Sequence, residues 1–421
     1  MSTIFYHDNG WKQLSDTIVE KSYSSVFVLV DQNTKSHCLS HFDQHFSHPY
    51  TLLTMDAGEA NKHIRTCDHL WSSLSEQGAD RNSLLLNLGG GVVTDLGGFV
   101  ACTYKRGIDF INIPTSLLAM VDASVGGKTG IDLQGLKNQI GIIREPAFVV
   151  IDDSFLTTLP SNEFRSGYAE MLKHGLIADA DYFLDLATEQ LDVNSPISDH
   201  IRHSVEIKRK LVSEDPYEKG LRKILNYGHT LGHAIETHFL NHPAAQHLLH
   251  GEAIAIGMVM EAELSYRTTN LSIEERNQIK AVFSSIFDSI SFDDSDRSAI
   301  KALLKHDKKN ESSEIRFVLL KTIGSPVIDC LVSEGEDHLG QQRTAVCCLS
   351  SLNAEKFVEW SKDENFIHDV MRFLDNVLED FIQRAPDEMA KAKYSAQRER
   401  SVGLGVMGFH SFLQHRLEIK S

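Results

Sequence analysis

Apolar residues fall in two rhythms along this chain. In the first part, short unbroken apolar runs alternate with amphipathic stretches. VFVLV at 26 to 30 is β-branched and aromatic throughout and ends in Asp31, the signature of a strand buried on both faces of a parallel sheet. Residues 51 to 78, opening TLLTM, predict a second strand, a turn and an amphipathic helix. SLLLNLGGGVVTDLGGFVAC at 83 to 102 predicts a third strand running through a glycine turn into a helix, and FINIP at 110 to 114 a further strand. Strand and helix in alternation predict an α/β, Rossmann-like layer, which binds ligands at the carboxyl ends of its strands.

After residue 114 the pattern changes. Gly126, Gly127 and Gly130 punctuate what reads as a polar loop carrying Lys128 and Lys137, and from about 155 to 310 the apolar period is helical, as in NEFRSGYAEMLKHGLI and SIEERNQIKAVFSSIF. EIRFVLL at 314 to 320 and SPVIDCLV at 325 to 332 return to short strands; from about 335 the sequence continues none of these patterns. The expected organisation is an α/β domain at 1–154, a mainly helical domain at 155–335 and a separate segment at 336–421.

Composition narrows the partners. The chain has 421 residues, 42% hydrophobic and 24% charged, with a formal net charge of -17, which sets aside nucleic acid and anionic membrane as default partners while leaving room for a local cationic cluster. MSTIFYHDNG has no basic region followed by an apolar one, and AIAIGMVM at 253 to 260 is too short to span a bilayer; a cytoplasmic protein is expected. Cys38, Cys67, Cys102, Cys330, Cys347 and Cys348 lack CxxC spacing, so reduced thiols are expected.

Three sets of residues carry candidate chemistry. His229 and His233 stand four apart in NYGHTLGHAIE, hence on one helical face, and His250 opens another helix in LLHGEAIAIGM; imidazoles so placed can hold a divalent metal. Glu170 and His174 in SGYAEMLKHG have the same spacing, and spacing does not choose between the pairs. GGGVVTDLGG at 89 to 98, with Asp95, is not G-x-G-x-x-G. It serves equally as a tight strand-to-helix turn or as a cradle of backbone N–H groups for a pyrophosphate, the latter favoured by Asp31, Glu59 and Lys62 near strand ends. Arg106, Lys128, Lys137, Lys173, Lys208, Arg222, Lys308 and Lys309 are individually ordinary surface charges, but together, beside glycines, histidines and carboxylates, they suit an anionic, phosphorylated substrate.

GGGVVTDLGGFVA, KRGIDFINIPTSLLAMVDASVGGKTGI, LKNQIG, LPSNEFRSGYAEMLKHG, EDPYEKGLRKILNYGHTLGHAIE, LLHGEAIAIGM and HDKKN, in this order and spacing, resemble 3-dehydroquinate synthase over about residues 1–335. The resemblance implies an NAD-binding α/β domain, a helical metal-binding domain and an active site between them. It implies Zn2+ (or Co2+) ligands at Glu170, His229 and His250, with His233 turned to substrate and His174 incidental. NAD contacts are implied at Asp31, Asn33, Glu59, Lys62, Gly90, Asp95, Thr115, Ser116, Leu118, Lys137 and Thr158. Catalytic roles fall to Lys128, Lys173, Lys208, Glu218, Arg222, Asn226 and His233. Substrate contacts fall to Asp122, Lys137, Asn138, Lys308 or Lys309, and Arg106, the last reaching across from a neighbouring subunit of a homodimer. The implied reaction converts 3-deoxy-D-arabino-heptulosonate 7-phosphate into 3-dehydroquinate and phosphate by transient NAD-dependent oxidation, β-elimination, reduction and aldol closure, a step towards aromatic amino acids. Another sugar-phosphate cyclase, a glycerol-1-phosphate dehydrogenase or a non-catalytic nucleotide-binding protein inactivated by the tail are the alternatives. The chain departs from the family at Thr94 (usually Gly), Ser116 (Thr), Asp132 (Asn) and IIREP at 142 to 146.

RTAVCCLSSLN, VMRFLDNVLEDFIQRA and AKYSAQRERSVGLGVMGFHSFLQ resemble an internal part of the ribonucleotide reductase large subunit, with Cys347 where that family has one redox cysteine. The radical-bearing cysteine of that family lies upstream of the matching part, so no reductase activity is expected.

Overall fold

The computed structural model describes residues 2–134, 136–189, 191–241, 248–304, 315–331, 348–353, 362, 365–386, 389–399 and 402–407. The chain divides into two compact units, Met1–Leu331 and Val332–Ser421.

The first unit is built on a six-stranded sheet of β1 (Thr3–Tyr6), β2 (Val26–Asp31), β3 (Thr51–Met55), β4 (Leu84–Gly89), β5 (Asp109–Pro114) and β8 (Phe148–Ile151), in the order β1-β8-β5-β4-β2-β3 with every pair parallel. The apolar runs are unbroken because both faces are covered. Val26, Val28, Val30, Leu84, Leu86 and Leu88 enter one apolar cluster, and the intervening Phe27, Leu29 and Leu85 enter another, as side chains alternating along a strand must. Helices α1 (His7–Lys21) and α3 (Leu39–His45), with the short α2 (Gln32–His37) before α3, give Trp11, Leu14 and Ile18 from α1 and Phe42 from α3 to the first cluster; α4 (Ile64–Glu76) and α5 (Gly91–Thr103) give Leu70, Leu74, Leu96 and Val100 to the second.

From β2 the chain steps outward to β3 and then returns to β4 on the other side of β2. The carboxyl ends of β2 and β4 therefore flank a topological switch point, where an open parallel sheet leaves a crevice. Asp31 ends β2, and Gly89 and Gly90 lead from β4 into α5.

The polar loop expected around 126 to 137 is instead a hairpin, β6 (Lys128–Leu133) with β7 (Leu136–Ile143), antiparallel. Glycines hid the alternation: Ile131, Ile140 and Ile142 pack on the second cluster, and at Gly130 a Cβ would stand 2.6 Å from the Ile140 carbonyl oxygen, so the strands approach closely only there with glycine.

Helices α6 (Ser161–Ala178), α7 (Ala180–Glu189), α8 (Ser198–Glu214), α9 (His229–Asn241), α10 (His250–Thr268), α11 (Ile273–Ile286) and α12 (Asp294–Leu304) follow, then the antiparallel pair β9 (Arg316–Thr322) and β10 (Ser325–Leu331). α6 is buried on all sides from Ser166 to Ile177, the mark of a central helix. One apolar cluster runs from Val28 and Ile113 through Tyr168 and Met171 to Ile254, so sheet and helices share a core and the surfaces between them are held fixed.

In the second unit β11 (Cys348–Asn353) pairs in parallel with β12 (Val402–Met407), and between them lie α13 (Phe366–Arg384) and α14 (Ala390–Glu399). Leu378, Ile382 and Ala396 pack together. Among the described residues no helix is long and apolar enough to cross a membrane.

Candidate active site

The histidine corner is set by how α9 begins. Gly228 adopts φ +79 immediately before the helix, a left-handed conformation that favours glycine. The buried Glu261 carboxylate of α10 accepts from Gly228 N at 2.6 Å and Leu231 N at 3.4 Å, meeting the N–H groups that a helix start leaves without intrahelical partners. His229, His233 and Glu236 then fall at i, i+4 and i+7 on one face. With His250, the first residue of α10, the three imidazole rings stand 5.1, 5.6 and 5.8 Å apart between centroids.

Each of two rings has one nitrogen engaged. His229 Nδ1 lies 3.1 Å from the Tyr227 carbonyl oxygen, and His250 Nδ1 lies 3.1 Å from Glu236 Oε2. Their Nε2 atoms converge on one oxygen of α6: Glu170 Oε1 is 3.6 Å from His229 Nε2 and 3.8 Å from His250 Nε2. Glu170 is completely buried and this oxygen has no hydrogen-bond partner. An orphaned buried carboxylate oxygen is costly; a cation held by it and the two imidazoles would remove the cost, and donors sharing one four-coordinate zinc stand about 3.4 Å apart. The residues present thus fit a divalent ion. His229, His233 and His250 also bring ring nitrogens within 4.8 Å of one another, so proximity alone permits a three-histidine set.

Beside this corner lies a buried ionic cluster. Lys173, one turn along α6 from Glu170, is in contact with Glu170 Oε2 and 4.0 Å from Asp122 Oδ1. Lys208 of α8 bonds Asp122 Oδ1 at 2.7 Å and contacts the Asp122 carbonyl. Asp122 sits in a π-helical turn, Ala119–Ala123, a widening common at functional sites. Burial pushes the Asp122 carboxyl up, but Lys208 and Lys173 override it and hold it well below the usual carboxylate range. Burial brings Lys208 below the usual lysine range against the pull of Asp122. Lys173 and Lys208 share Asp122 while Lys173 also pairs with Glu170, so a cation taken up by Glu170 would leave the cluster with positive charge for a further anion. His174 is also buried against it: Nδ1 bonds Ser204 Oγ at 2.7 Å, Nε2 has no hydrogen-bond partner, and burial drives its pKa well below the usual value.

A third group closes the side facing the hairpin. Lys128 contacts Glu218, whose other oxygen accepts from Asn226 Nδ2 at 2.6 Å. Arg222 is buried, donating to the Pro216 and Gly126 carbonyls at 2.8 and 3.2 Å. Asp215 holds the loop that carries them, accepting from Lys219, Gly220 and Arg222 backbone nitrogens.

The sheet crevice supplies the remaining positions. The N-terminus of α5 opens at Gly90, where a Cβ would stand 3.3 Å from Ser116 Oγ, and Ser116 replaces the expected threonine with its hydroxyl retained. Thr94 Oγ1 turns back onto the Gly90 and Gly91 carbonyls. Lys62 is buried and bonds Asp95 and Asn138 at 2.7 Å each; burial lowers its pKa, but Asp95 and Glu59 override this and raise it. Asp132, where asparagine is usual, accepts from Asn138 N at 2.7 Å across the hairpin turn, a bond that the Oδ1 of asparagine would accept as well. Asp31 accepts from Thr34 N at 2.7 Å and caps α2, with Asn33 exposed beside it. Thr115 is buried, Thr158 Oγ1 donates to the Phe155 carbonyl at 3.3 Å, and Leu118 is half-buried. Arg106 is exposed at φ +73 on the turn after α5. Lys308, Lys309 and Cys347 lie outside the described residues.

Sequence reasoning missed Glu236, Glu261 and Asp215. The i+7 spacing from His229 places Glu236 on the histidine face and was available as a signal; Glu261 and Asp215 act through backbone groups, which leave none.

A parallel α/β sheet with a switch point beside β4, sharing one core with helices that carry a corner of histidines, a buried carboxylate and lysines, defines the class: a two-part synthase or dehydrogenase fold. Solved structures of that class are similar. A 2-deoxy-scyllo-inosose synthase, complexed with carbaglucose-6-phosphate, NAD+ and Co2+, is 25% identical with a TM-score of 0.68, covering 77% of this chain and 90% of that one. A 2-epi-5-epi-valiolone synthase from Streptomyces hygroscopicus, with NAD+ and Zn2+ bound, is 25% identical with a TM-score of 0.65, covering 78% and 92%. The family model for the 3-dehydroquinate synthase N-terminal part matches residues 52–166 and that for its C-terminal part residues 167–310. The 3-dehydroquinate synthase of Parabacteroides distasonis is 42% identical over 76% of this chain and 92% of its own, and that of Leptospira interrogans 41% identical over 73% and 85%. This chain belongs to the 3-dehydroquinate synthase family. The ribonucleotide reductase barrel domain model matches residues 307–419, starting ahead of β9 and β10, which lie in the first compact unit.

Proposed function

We propose that this protein converts 3-deoxy-D-arabino-heptulosonate 7-phosphate into 3-dehydroquinate and phosphate, working as a homodimer with bound NAD and a divalent ion, Zn2+ or Co2+. The observation that carries the metal half is the orphaned Glu170 Oε1 between His229 Nε2 and His250 Nε2. Glu170, His229 and His250 would hold the ion, with His233 facing substrate. The crevice residues Asp31, Asn33, Glu59, Lys62, Gly90, Asp95, Thr115, Ser116, Leu118, Lys137 and Thr158 would hold NAD. When bound, NAD supplies a reversible hydride acceptor and the ion a Lewis acid that eases oxidation of an alcohol.

The chain's own residues do the rest by position and charge. Lys173 and Lys208 share Asp122, and Lys173 also contacts Glu170; with the Glu170 charge offset by the ion, an incoming carboxylate or phosphate would be met by excess positive charge in a buried site, where such attraction is strong. Lys128, Arg222 and Asn226, grouped around Glu218, would grip the other end of the substrate, and Asn138 and Lys137 the side towards the crevice. Arg106 would complete the phosphate grip from the neighbouring subunit, and Lys308 or Lys309 would join it. Fixing an acyclic sugar acid at both ends brings its reacting carbons together, an effect worth roughly 7–11 kcal/mol in favourable intramolecular cases. The proton lost from carbon before phosphate leaves goes to the substrate's own phosphate, so the site needs no strong base, and His233 and Glu218 orient groups and hold protons.

Phosphate release from the heptulosonate phosphate, with NAD and metal present and NADH followed at 340 nm, tests the reading. Phosphate without net NADH supports it; a dehydrogenase would accumulate NADH, and a cyclase for another sugar phosphate would release phosphate from that sugar instead.

A further inference from the structure

We propose that Glu236 is a positioning residue that fixes which nitrogen of His250 faces the metal corner and ties that corner to the cofactor crevice; this rests on the metal site proposed above. Glu236 is buried on α9 between two donors. Its Oε1 accepts from Lys137 Nζ at 2.7 Å, and its Oε2 lies 3.1 Å from His250 Nδ1. Lys137 continues to Glu59 Oε1 at 3.0 Å, and Glu59 lies 3.8 Å from Lys62 Nζ, itself 2.7 Å from Asp95. An unbroken chain of charged groups thus runs from His250 to the N-terminal turns of α5.

The chemistry of the two donors explains why the residue is a carboxylate. An ammonium group only donates, so Lys137 requires an oxygen. His250 can place a lone pair on Nε2, towards Glu170, only as the Nδ1–H tautomer, and that proton also requires an oxygen. A carboxylate offers both; an amide offers one oxygen and one NH2. In Glu236→Gln the lysine claims the oxygen, the NH2 turns to His250 Nδ1, and the ring is pushed into the tautomer whose Nε2 carries the proton. A carboxylate behind a ligating histidine is the kind of outer contact whose loss typically weakens metal binding 10- to 100-fold.

The test is Zn2+ affinity of metal-free full-length protein, by competition with a chromophoric chelator, for wild type, Glu236→Gln, Lys137→Met and the double variant, with circular dichroism melts beside each. Glu236→Gln should weaken Zn2+ by about tenfold or more. In the Lys137→Met background the amide oxygen is released to His250, and the penalty should fall to about threefold or less, a non-additivity that mere loss of a negative charge does not produce. Affinity in Glu236→Gln within about twofold of wild type, an equal penalty in both backgrounds, or loss of cooperative unfolding in Glu236→Gln each overturns the proposal. Wild-type protein that takes up no stoichiometric divalent ion overturns the metal site itself, a separate outcome.

Discussion

Glu170 Oε1 sits 3.6 Å from His229 Nε2, fully buried and without a hydrogen-bond partner, although one of these residues lies in the middle of α6 and the other opens α9. Removing one member of such a set leaves too few donors to retain the ion. His250→Ala should reduce phosphate release to background and lose bound zinc in dialysed protein, while circular dichroism stays that of wild type. Full activity with undiminished zinc would contradict the ligand set.

Asp122 between Lys173 and Lys208 gives the second prediction. Asp122→Asn takes away the carboxylate partner of the buried Lys208 and leaves Lys173 with Glu170 alone, and should lower unfolding stability by about 3–5 kcal/mol. Adding Lys208→Met to it should recover part of that loss in a urea melt. Equal stability of Asp122→Asn and wild type would show that the cluster is solvated rather than buried.

α5 lies so close to the sheet that a Cβ at Gly97 would overlap Asn87 Oδ1 and approach Leu29 Cδ2 at 2.9 Å. Gly97→Ala should cost about 1–3 kcal/mol, as overpacking does, and loosen the buried Asn87 to Asn112 bond of 2.9 Å. It should also weaken NAD binding, because the same shift moves the Gly90 turn. A melt unchanged from wild type would refute the close packing.

Acid stability should depend on Asp152. Burial raises its pKa, but hydrogen bonds from Ser154, Trp11 and His41 outweigh this and bring it down to about 2 from an ordinary 3.8. A carboxyl depressed in the folded state contributes stability that is present above pH 3.8 and lost as pH falls towards 2. Asp152→Asn should be less stable than wild type at neutral pH and show a flatter fall in melting temperature through that window. Parallel curves for the two proteins would assign the acid loss to other groups.

Much of this was legible in the sequence because the signals are local. VFVLV and SLLLNLG are strands whose burial on both faces leaves no alternation to obscure, and the seven ordered blocks identified the family. The hairpin at 128 to 143 reads as a loop in the sequence because Gly126, Gly127 and Gly130, which permit its close strands, carry the composition of a loop. Helical spacing marked His229 with His233, yet the buried carboxylate that faces His229 comes from Glu170, fifty-nine positions earlier; pairs made by packing two helices leave no spacing. For the same reason Glu261, which caps α9 from α10, emerges only from the folded chain; the i+7 spacing puts Glu236 on the histidine face, but its partners Lys137 and His250 are set by packing.

The most direct measurement is turnover of 3-deoxy-D-arabino-heptulosonate 7-phosphate by the full chain, with phosphate and NADH followed together. Phosphate release that requires both NAD and a divalent ion is expected, with 3-dehydroquinate as the organic product and no net NADH. Absence of phosphate release from protein loaded with both, or NADH accumulating in step with substrate loss, would contradict the proposed reaction.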